Sequence, residues 1–335
     1  MPGLQPSGAR YRSTLQARSI SRSVWETLNS TSFPGQIIAV YDRACTLTFP
    51  DGNVVSLVLP EIGNGPLNIV MTPGGFPPGA GTPWALAALQ PGQEVRLEDR
   101  WLEVGEFAVS LDGAVTWEPR PNWDRLRTRR QTVTGRLAHL EAFALRLARE
   151  DSLLALLEHS CRPVASLHLA PGLATVDESF HSLAFEAALY LRAGWEGNTA
   201  QLQAGAEQLA GLGGGLTPAG DDFLSGVMLW TWLAHPDPQP CCKAMLEAAA
   251  SRTTTLSAAF LRTAAVGECS ASWHRLLVVL EREEVQDLAA AVEGVLSYGH
   301  TSGADTLAGF LWMGIGLPSF RAVTPEVPGP KSLTL

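Results

Sequence analysis

Short runs of apolar residues, separated by turn residues, characterise the first third of the chain. Asp51-Gly52 and Asp112-Gly113 each lie between two such runs, which is typical of two-residue hairpin turns. Residues 18–30 instead have the spacing of a short helix, and residues 72–84 hold too many glycines and prolines for regular structure. The strands predicted in this way cover residues 36–41, 45–49, 54–59, 67–71, 94–97, 101–104, 107–111 and 114–117.

From residue 122 onward the period changes to three and four residues, which indicates amphipathic helices. The pattern predicts one long helix over residues 122–149. Further helices are predicted at residues 153–159, 179–193, 199–209, 222–233, 242–265, 273–281, 285–295 and 305–315. The fold class expected from these elements is α+β, with a small antiparallel β-barrel or sandwich followed by a mainly α-helical C-terminal domain.

The same patterns divide the chain into four parts. We expect an N-terminal segment over residues 1–34, a β-rich domain over 35–120 and a helical domain over 121–318. Residues 319–335 hold three prolines and are predicted to be a flexible tail.

Composition and charge narrow the possible partners. The formal net charge of −9 disfavours binding to nucleic acid. The sequence has no run of eighteen apolar residues free of charge, so no membrane span is predicted. The N-terminus has no apolar signal core, so we expect a cytoplasmic protein. A small anion remains a possible ligand, because backbone amides at a helix start can bind one inside an acidic protein.

The most specific motif is a glycine-rich segment that leads directly into an apolar helix. Thr217 suits the N-cap of that helix and Pro218 its first position, while the preceding glycines allow close approach of a ligand to the backbone. We expect an amide-lined cradle for phosphate or carboxylate, although the spacing is neither that of a P-loop nor that of a dinucleotide site. The glycines concerned are Gly213, Gly214 and Gly215.

Asp221 and Asp222 follow this cradle at the start of the helix. Two adjacent carboxylates can act as a general base, orient an amide or hold Mg²⁺, so both are candidate catalytic residues and candidate ligands of a possible Mg²⁺ ion. The alternative is that they complement the helix dipole.

A second motif over residues 299–310 resembles the first. Both contain a threonine, a glycine and then Asp-x-Leu-x-Gly on a new helix, which suggests two helix starts that converge on one pocket. Gly226 and Gly309 are small enough to let the two helices pack closely. Asp305 is a further catalytic candidate, and His300 could act as acid, base or phosphate ligand or be a polar surface group. The candidate binding residues here are Thr301, Ser302 and Gly303.

Two other segments are weaker candidates. Arg252, Thr254 and Ser257 could line a polar pocket, with Arg252 as a bidentate partner for a carboxylate, or could form an exposed helix face. The turn at Gly65-Pro66 could close over the site or be an ordinary turn. The sequence contains no His-Glu-x-x-His, no catalytic Gly-x-Ser-x-Gly and no paired Cys-x-x-Cys, so zinc and serine hydrolase chemistry is not expected.

The strings GLGGGLTPAGDDFLSG (residues 211–226) and GHTSGADTLAGF (residues 299–310) resemble the signature of a bacterial family described as a domain of unknown function. That family includes a subunit of oxamate carbamoyltransferase, an enzyme of anaerobic allantoin and purine catabolism. The resemblance extends over about residues 35–317, including the Gly65-Pro66 turn and the helix with Thr254 and Ser257.

The resemblance implies a carbamoyltransferase reaction, oxalurate plus phosphate to oxamate plus carbamoyl phosphate, and other protein subunits as partners. The Ser-Thr-Arg-Thr-Arg motif of ordinary carbamoyltransferases is absent, so a different fold is expected. Two alternatives stay open at this point. The chain could be a non-catalytic structural or regulatory subunit, or a Mg²⁺-dependent hydrolase or phosphotransferase that uses Asp221 and Asp222.

Overall fold

A computed structural model describes residues 13–72, 88–105, 107–147, 151–159, 176–282 and 287–315. The predicted tail at 319–335 and nearly all of the predicted loop at 72–84 lie outside this range. The strands are β1 (Ser13–Ser21), β2 (Gly35–Val40), β3 (Ala44–Thr48), β4 (Val54–Val58), β5 (Asn68–Met71), β6 (Glu94–Glu98), β7 (Trp101–Val104), β8 (Phe107–Ser110) and β9 (Val115–Trp117).

The strands form a closed barrel. Their hydrogen-bonded order is β5-β4-β3-β2-β6-β7-β8-β1, and β1 also pairs with β5, which closes the eight-stranded sheet. The strand β9 pairs in parallel with the end of β1. Most pairs are antiparallel, while β4–β5 and β1–β8 are parallel. The predicted α+β class with an N-terminal barrel is therefore confirmed.

The strand β1 corrects the prediction of a helix over residues 18–30. The helix, α1, covers only Arg22–Ser30, and the residues before it are extended. From Thr14 to Arg18 exposed and buried positions alternate, which is the period of a strand. A sequence window that begins at Arg18 contains only the end of this alternation, so the strand is not recognised from it. This strand joins the two edges of the sheet, so it is the element that turns the sheet into a barrel.

Two long predicted helices are broken in the structure. Of the helix predicted over residues 122–149, the structure describes residues up to 147, which form three helices because the chain turns at Arg129 and again at Gly135. Residues 242–265 form two helices, because Thr254 is extended and its hydroxyl accepts a hydrogen bond from the Ser257 amide as an N-cap. The helices after α1 are α2 (Trp123–Thr128), α3 (Arg130–Thr134), α4 (Leu137–Leu147), α5 (Ala155–His159), α6 (Val176–Trp195), α7 (Thr199–Leu209), α8 (Ala219–Ala234), α9 (Pro238–Ala249), α10 (Thr255–Ala265), α11 (Ala271–Glu281), α12 (Leu288–Leu296) and α13 (Ser302–Ile315).

Helices α8 and α13 pack against each other through glycines at the centre of the helical core. A Cβ atom on Gly226 would lie 1.8 Å from the carbonyl oxygen of Thr306, and one on Gly309 would lie 2.0 Å from that of Phe223. Each helix therefore presents a glycine to the backbone of the other.

The two motifs are equivalent in structure as well as in sequence. The glycine in the first turn of each helix lies against the carbonyl end of the preceding helix, since a Cβ on Gly220 would meet the oxygen of Leu209 and one on Gly303 that of Val295. The two motifs have identical spacing from the first glycine to the aspartate and on to the second glycine, whereas their threonines differ in position by one residue. The matching pairs are Gly220 and Gly303, Asp222 and Asp305, and Gly226 and Gly309.

The barrel packs directly on the helical region. Val54 and Leu67 of the barrel form a small apolar cluster with Leu256 and Ala259 of α10. Backbone hydrogen bonds cross the same boundary, including one from the Ala271 amide to the carbonyl oxygen of Asn64. Over the ranges that the structure describes, no helix is both long enough and apolar enough to cross a membrane.

Candidate functional site

The starts of α8 and α13 meet through two hydroxyl groups. The Oγ1 atom of Thr217 lies 3.0 Å from the Oγ atom of Ser302, and either atom can donate the hydrogen bond. Thr217 was expected to be the N-cap of its helix, but α8 begins one position later, with Pro218 in the capping position. The Thr217 hydroxyl is therefore directed to the neighbouring motif rather than to the amides of its own helix.

Asp221 is a buried structural anchor. Its Oδ1 accepts a hydrogen bond from the Gly211 amide at 3.1 Å. Its Oδ2 accepts from the hydroxyls of Thr253 at 2.5 Å and Ser257 at 2.9 Å. Burial raises the pKa of this carboxyl, and these three donors oppose the rise. The carboxylate thus joins the glycine-rich segment, the start of α8 and the start of α10.

Asp222, the next residue, has a different environment. It is 8 % exposed, and its Oδ2 is buried without a hydrogen-bond partner among the described residues. Burial raises the pKa of Asp222 well above its ordinary value, and the charges of Asp305 and Asp221 raise it further, against the opposing hydroxyls of Ser302 and Thr217. A buried carboxyl oxygen without a donor is costly for the fold, so it is a candidate for contact with a ligand.

Asp222 lines a cavity of about 80 Å³ between the barrel and the helices. The turn Gly65-Pro66 covers one side, and Gly303 from the second motif contributes to another. Glu268 and Tyr298 also line it, and burial raises the pKa of both. The described lining includes two carboxyl groups but no lysine, arginine or histidine. Such a cavity suits an uncharged polar group better than an anion.

Two sequence models of one family match the chain, and each match contains residues that line one side of this cavity. A sequence model described as the AllH family N-terminal domain matches residues 16–116. A second, described as oxamate carbamoyltransferase subunit AllH, matches residues 209–314. Together they cover more than half of the chain. The chain belongs to the AllH family. No solved structure matches it.

The two AllH matches contain the residues that form the cavity. The N-terminal match includes the Gly65-Pro66 turn, and the C-terminal match includes both glycine and aspartate motifs. The N-terminal match also includes most of β1, the strand that the sequence pattern did not predict.

The glycine-rich loop of this AllH chain is exposed and does not line the cavity. Gly213 and Gly215 have positive φ angles of 112° and 85°, a conformation that favours glycine. Gly214 differs, because its φ is not positive and a Cβ atom there would meet nothing within 4 Å. Neither backbone conformation nor packing requires a glycine at this position.

The structure places several candidate residues away from the cavity. The Arg252 guanidinium is exposed and lies 3.4 Å from the Glu207 carboxylate. His300 is exposed, with its Nε2 atom 3.1 Å from the Asp151 carboxylate. Thr254 caps α10, and its hydroxyl donates a hydrogen bond to the Leu216 carbonyl at 2.5 Å. Ser257 reaches the site only through Asp221.

Sequence reasoning missed Glu268 and Tyr298. Tyr298 directly precedes the second motif, so extending that motif by one residue would have included it. Glu268 carries no comparable signal. It reaches the cavity because Gly267 takes a φ of 80° at the end of α10, and its carboxylate accepts a hydrogen bond from the Ser23 hydroxyl at 2.6 Å.

A metal site is not evident in the described part of the chain. It contains no group of three or more histidine, cysteine, aspartate or glutamate side chains placed to hold an ion. Both oxygens of Asp221 already accept hydrogen bonds, which leaves Asp222 as the carboxyl with an available oxygen.

Asp305 is the structural counterpart of Asp222. It is fully buried, its Oδ1 accepts a hydrogen bond from the Leu153 amide at 2.7 Å, and its Oδ2 has no partner among the described residues. Burial raises its pKa to about 6, while the Leu153 amide and the Thr301 hydroxyl oppose this rise. Asp305 does not line the cavity. It lies in the helical core, where its carboxyl group keeps its proton to a higher pH than an ordinary aspartate.

The raised pKa of Asp305 predicts a pH-dependent stability. The folded form holds this proton more tightly than the unfolded chain, so the contribution is fully present below the ordinary pKa of 3.8 and is lost as the pH rises through about 6. We expect the free energy of unfolding of the native chain to fall by up to about 3 kcal/mol between pH 4 and pH 7, relative to Asp305→Asn. Urea unfolding at four pH values measures this difference. Parallel curves for the two proteins would contradict it, and Asp124→Asn, an exposed carboxylate, is the control.

Proposed function

We propose that this AllH chain is the oxamate carbamoyltransferase subunit that binds the carbamoyl group of the substrate. The single observation that carries the proposal is the buried, unpartnered Oδ2 of Asp222 in a cavity lined by both family-matched regions. A carboxyl group is complementary to an amide, since it can accept a hydrogen bond from N–H and, when protonated, donate one to C=O. The carbamoyl end of oxalurate has both groups.

The charges of the cavity determine which end of the substrate fits. When ionised, Asp222 and Glu268 repel a phosphate or a carboxylate, and when protonated they offer an anion no positive charge; no described lysine, arginine or histidine lines the cavity to attract one. The uncharged carbamoyl group meets no such repulsion. The small anionic substrate expected from the two helix starts is therefore refined to one whose neutral end occupies the cavity.

The proposed reaction converts oxalurate and phosphate to oxamate and carbamoyl phosphate. An oxygen of hydrogen phosphate attacks the carbamoyl carbon and forms the new C–O bond, and the C–N bond to the oxamate nitrogen breaks. That nitrogen takes up a proton, and the proton lost by the hydrogen phosphate restores the donor. Asp222 is the candidate donor of the proton to that nitrogen, because its raised pKa keeps it protonated at a higher pH than an ordinary aspartate. Hydroxyl groups of Thr217 and Ser302 hold the two helix starts beside it.

We assign phosphate binding to the glycine loop at Gly213, Gly214 and Gly215, with other subunits completing its site. Because this loop does not line the cavity, the reaction requires that the loop or another subunit bring the phosphate to the carbamoyl carbon. The loop is exposed, it ends two residues before Thr217, and Gly214 has no internal reason to be glycine. Backbone amides of such a loop can bind an anion. The family description as a subunit supports the presence of protein partners.

Thermal melts of the full chain test this assignment. We expect oxalurate and oxamate to raise the melting temperature, since a ligand at 100 times its Kd stabilises the folded state by about 2.7 kcal/mol. Asp222→Asn should abolish this rise with little change in the melting temperature of the free protein, because Oδ2 has no hydrogen-bond partner and the asparagine oxygen can still accept from the hydroxyls of Ser302 and Thr217. Asp124→Asn is the control for loss of a carboxylate.

Other outcomes identify the alternatives. Gly214→Ala should leave the unliganded melt unchanged and weaken stabilisation by phosphate. If no carbamoyl compound changes the melt of the wild-type chain, the substrate assignment is wrong and a non-catalytic subunit is favoured. A stabilisation that requires Mg²⁺ and is lost in Asp222→Asn would instead favour the Mg²⁺-dependent hydrolase or phosphotransferase.

A further inference from the structure

A second depression adjoins the cavity on its outer side. This outer cleft of about 350 Å³ is lined by α1, by the turn before β4 and by α10. It shares Pro66, Thr263 and Glu268 with the cavity, so the two spaces adjoin at these residues. A ligand longer than one functional group could therefore extend from one into the other.

Arg262 supplies a cation to the outer cleft. Its Nη2 atom donates one hydrogen bond, to the Gly52 carbonyl oxygen at 3.1 Å. Burial lowers the pKa of the guanidinium, and no carboxylate pairs with it in the described part of the chain. A guanidinium has five N–H donors and binds a carboxylate in a bidentate geometry. This guanidinium is exposed to the outer cleft and has no anionic partner among the described residues.

The neighbouring acidic groups form no ion pair with this cation in the described part of the chain. Glu268 and Glu26 also line the outer cleft, and both are acidic. The Glu268 carboxylate accepts a hydrogen bond from Ser23, and burial together with the charges of Glu118 and Glu26 raises its pKa. Neither glutamate forms an ion pair with Arg262, so its remaining N–H groups are available to a ligand within the described surroundings.

We propose that Arg262 is the carboxylate-recognition residue of the site, and that the ligand places its amide end beside Asp222 and its carboxylate end in the outer cleft. The proposal rests on the proposed function, because the amide end is assigned by it. It adds a substrate class: a small molecule with an amide or ureido group at one end and a carboxylate at the other. It also explains how a cavity without a cation can serve an anionic substrate.

Oxamate and oxamide separate the two ends experimentally, since they differ only in the exchange of a carboxylate for a second amide. Isothermal titration of the full chain would measure both Kd values for the wild type, Arg262→Gln and Arg262→Lys. We expect Arg262→Gln to weaken oxamate binding about tenfold or more and to change oxamide binding by less than about twofold. Arg262→Lys should restore part of the oxamate affinity. Arg275→Gln, an exposed arginine on α11 that lines neither space, is the matched control.

A chemical probe gives a second readout that does not depend on catalysis. Phenylglyoxal labels accessible guanidinium groups, and peptide mapping by mass spectrometry reports the labelling of Arg262. Oxamate should protect Arg262 from the reagent, whereas oxamide should not.

The outcomes distinguish this inference from the proposed function. Equal oxamate affinity in wild type and Arg262→Gln, with binding still lost in Asp222→Asn, would overturn the role of Arg262 and leave the proposed function in place. A different result would be that oxamate protects Arg262 while Asp222→Asn binds oxamide as tightly as the wild type. That result would support the role of Arg262 and reject the carbamoyl site at Asp222. Absence of protection by oxamate overturns the inference in either case.

Discussion

Replacing Gly226 by alanine should strongly destabilise the helical region. The new Cβ atom would lie 1.8 Å from the Thr306 carbonyl oxygen and 2.8 Å from the Phe310 amide nitrogen. Both are backbone atoms of α13, so no side chain can move aside, and the two helices would have to separate through the core. We expect a loss of more than about 3 kcal/mol in the free energy of unfolding, measured by urea denaturation.

A second helical glycine provides the matched control. Gly294 lies within α12, and a Cβ atom there would meet only the Ser272 Cβ at 4.0 Å, an ordinary contact. Gly294→Ala should therefore leave the protein as stable as before or stabilise it by about 0.5–1 kcal/mol through helix propensity. Equal stability of Gly226→Ala and Gly294→Ala would show that α8 and α13 do not pack at this distance.

Replacing Asp221 by alanine should be the most destabilising change of a polar residue at the candidate site. The substitution leaves the Gly211 amide and the hydroxyls of Thr253 and Ser257 without their acceptor in a buried position. Because hydrogen bonds to a charged group contribute about 1.5–3 kcal/mol each and unsatisfied buried donors are costly, we expect a loss of about 3–5 kcal/mol. Urea denaturation at pH 7 measures it.

The neighbouring carboxyl makes this prediction specific. Asp222→Asn at the same helix start should cost little stability, because its Oδ2 has no partner to lose within the described structure and the amide oxygen can still accept from the Ser302 and Thr217 hydroxyls. Asp124→Ala, in which a fully solvated carboxylate is removed, should also change little. If Asp221→Ala and Asp222→Asn prove equally stable, the three hydrogen bonds to Asp221 do not hold the loop, α8 and α10 together.

The sequence predicted the elements whose signal is local. The predicted hairpin at Asp51-Gly52 is confirmed by the antiparallel pairing of β3 and β4, and glycine followed by aspartate indicated the starts of α8 and α13. The strands on either side of Asp112-Gly113 are present, but the hairpin predicted there is wrong, because β8 and β9 each pair with β1, which lies between them. The boundaries failed where a long-range contact decides them. The strand β1 is stabilised by pairing with β5, β8 and β9, all distant in sequence, so no local pattern marks its role in closing the barrel.

The two adjacent aspartates show the same limit at the candidate site. As neighbours on a new helix, Asp221 and Asp222 were equivalent candidates for base, metal ligand and dipole partner. In the folded chain, Thr253 and Ser257 of another segment satisfy Asp221, while Asp222 turns to a cavity that the barrel closes. Their roles therefore depend on what packs against each of them.

The amino-acid sequence by itself determined the α+β class, the two related motifs and the glycines that bring α8 and α13 together, because these depend on residue type and short spacing. Only the tertiary structure decided that Arg252 and His300 lie at the surface, that Glu268 and Gly65-Pro66 complete the cavity, and that Arg262 faces an adjoining cleft. The physical reason is that burial and charge pairing arise between segments far apart in the chain, where sequence spacing carries no information about distance.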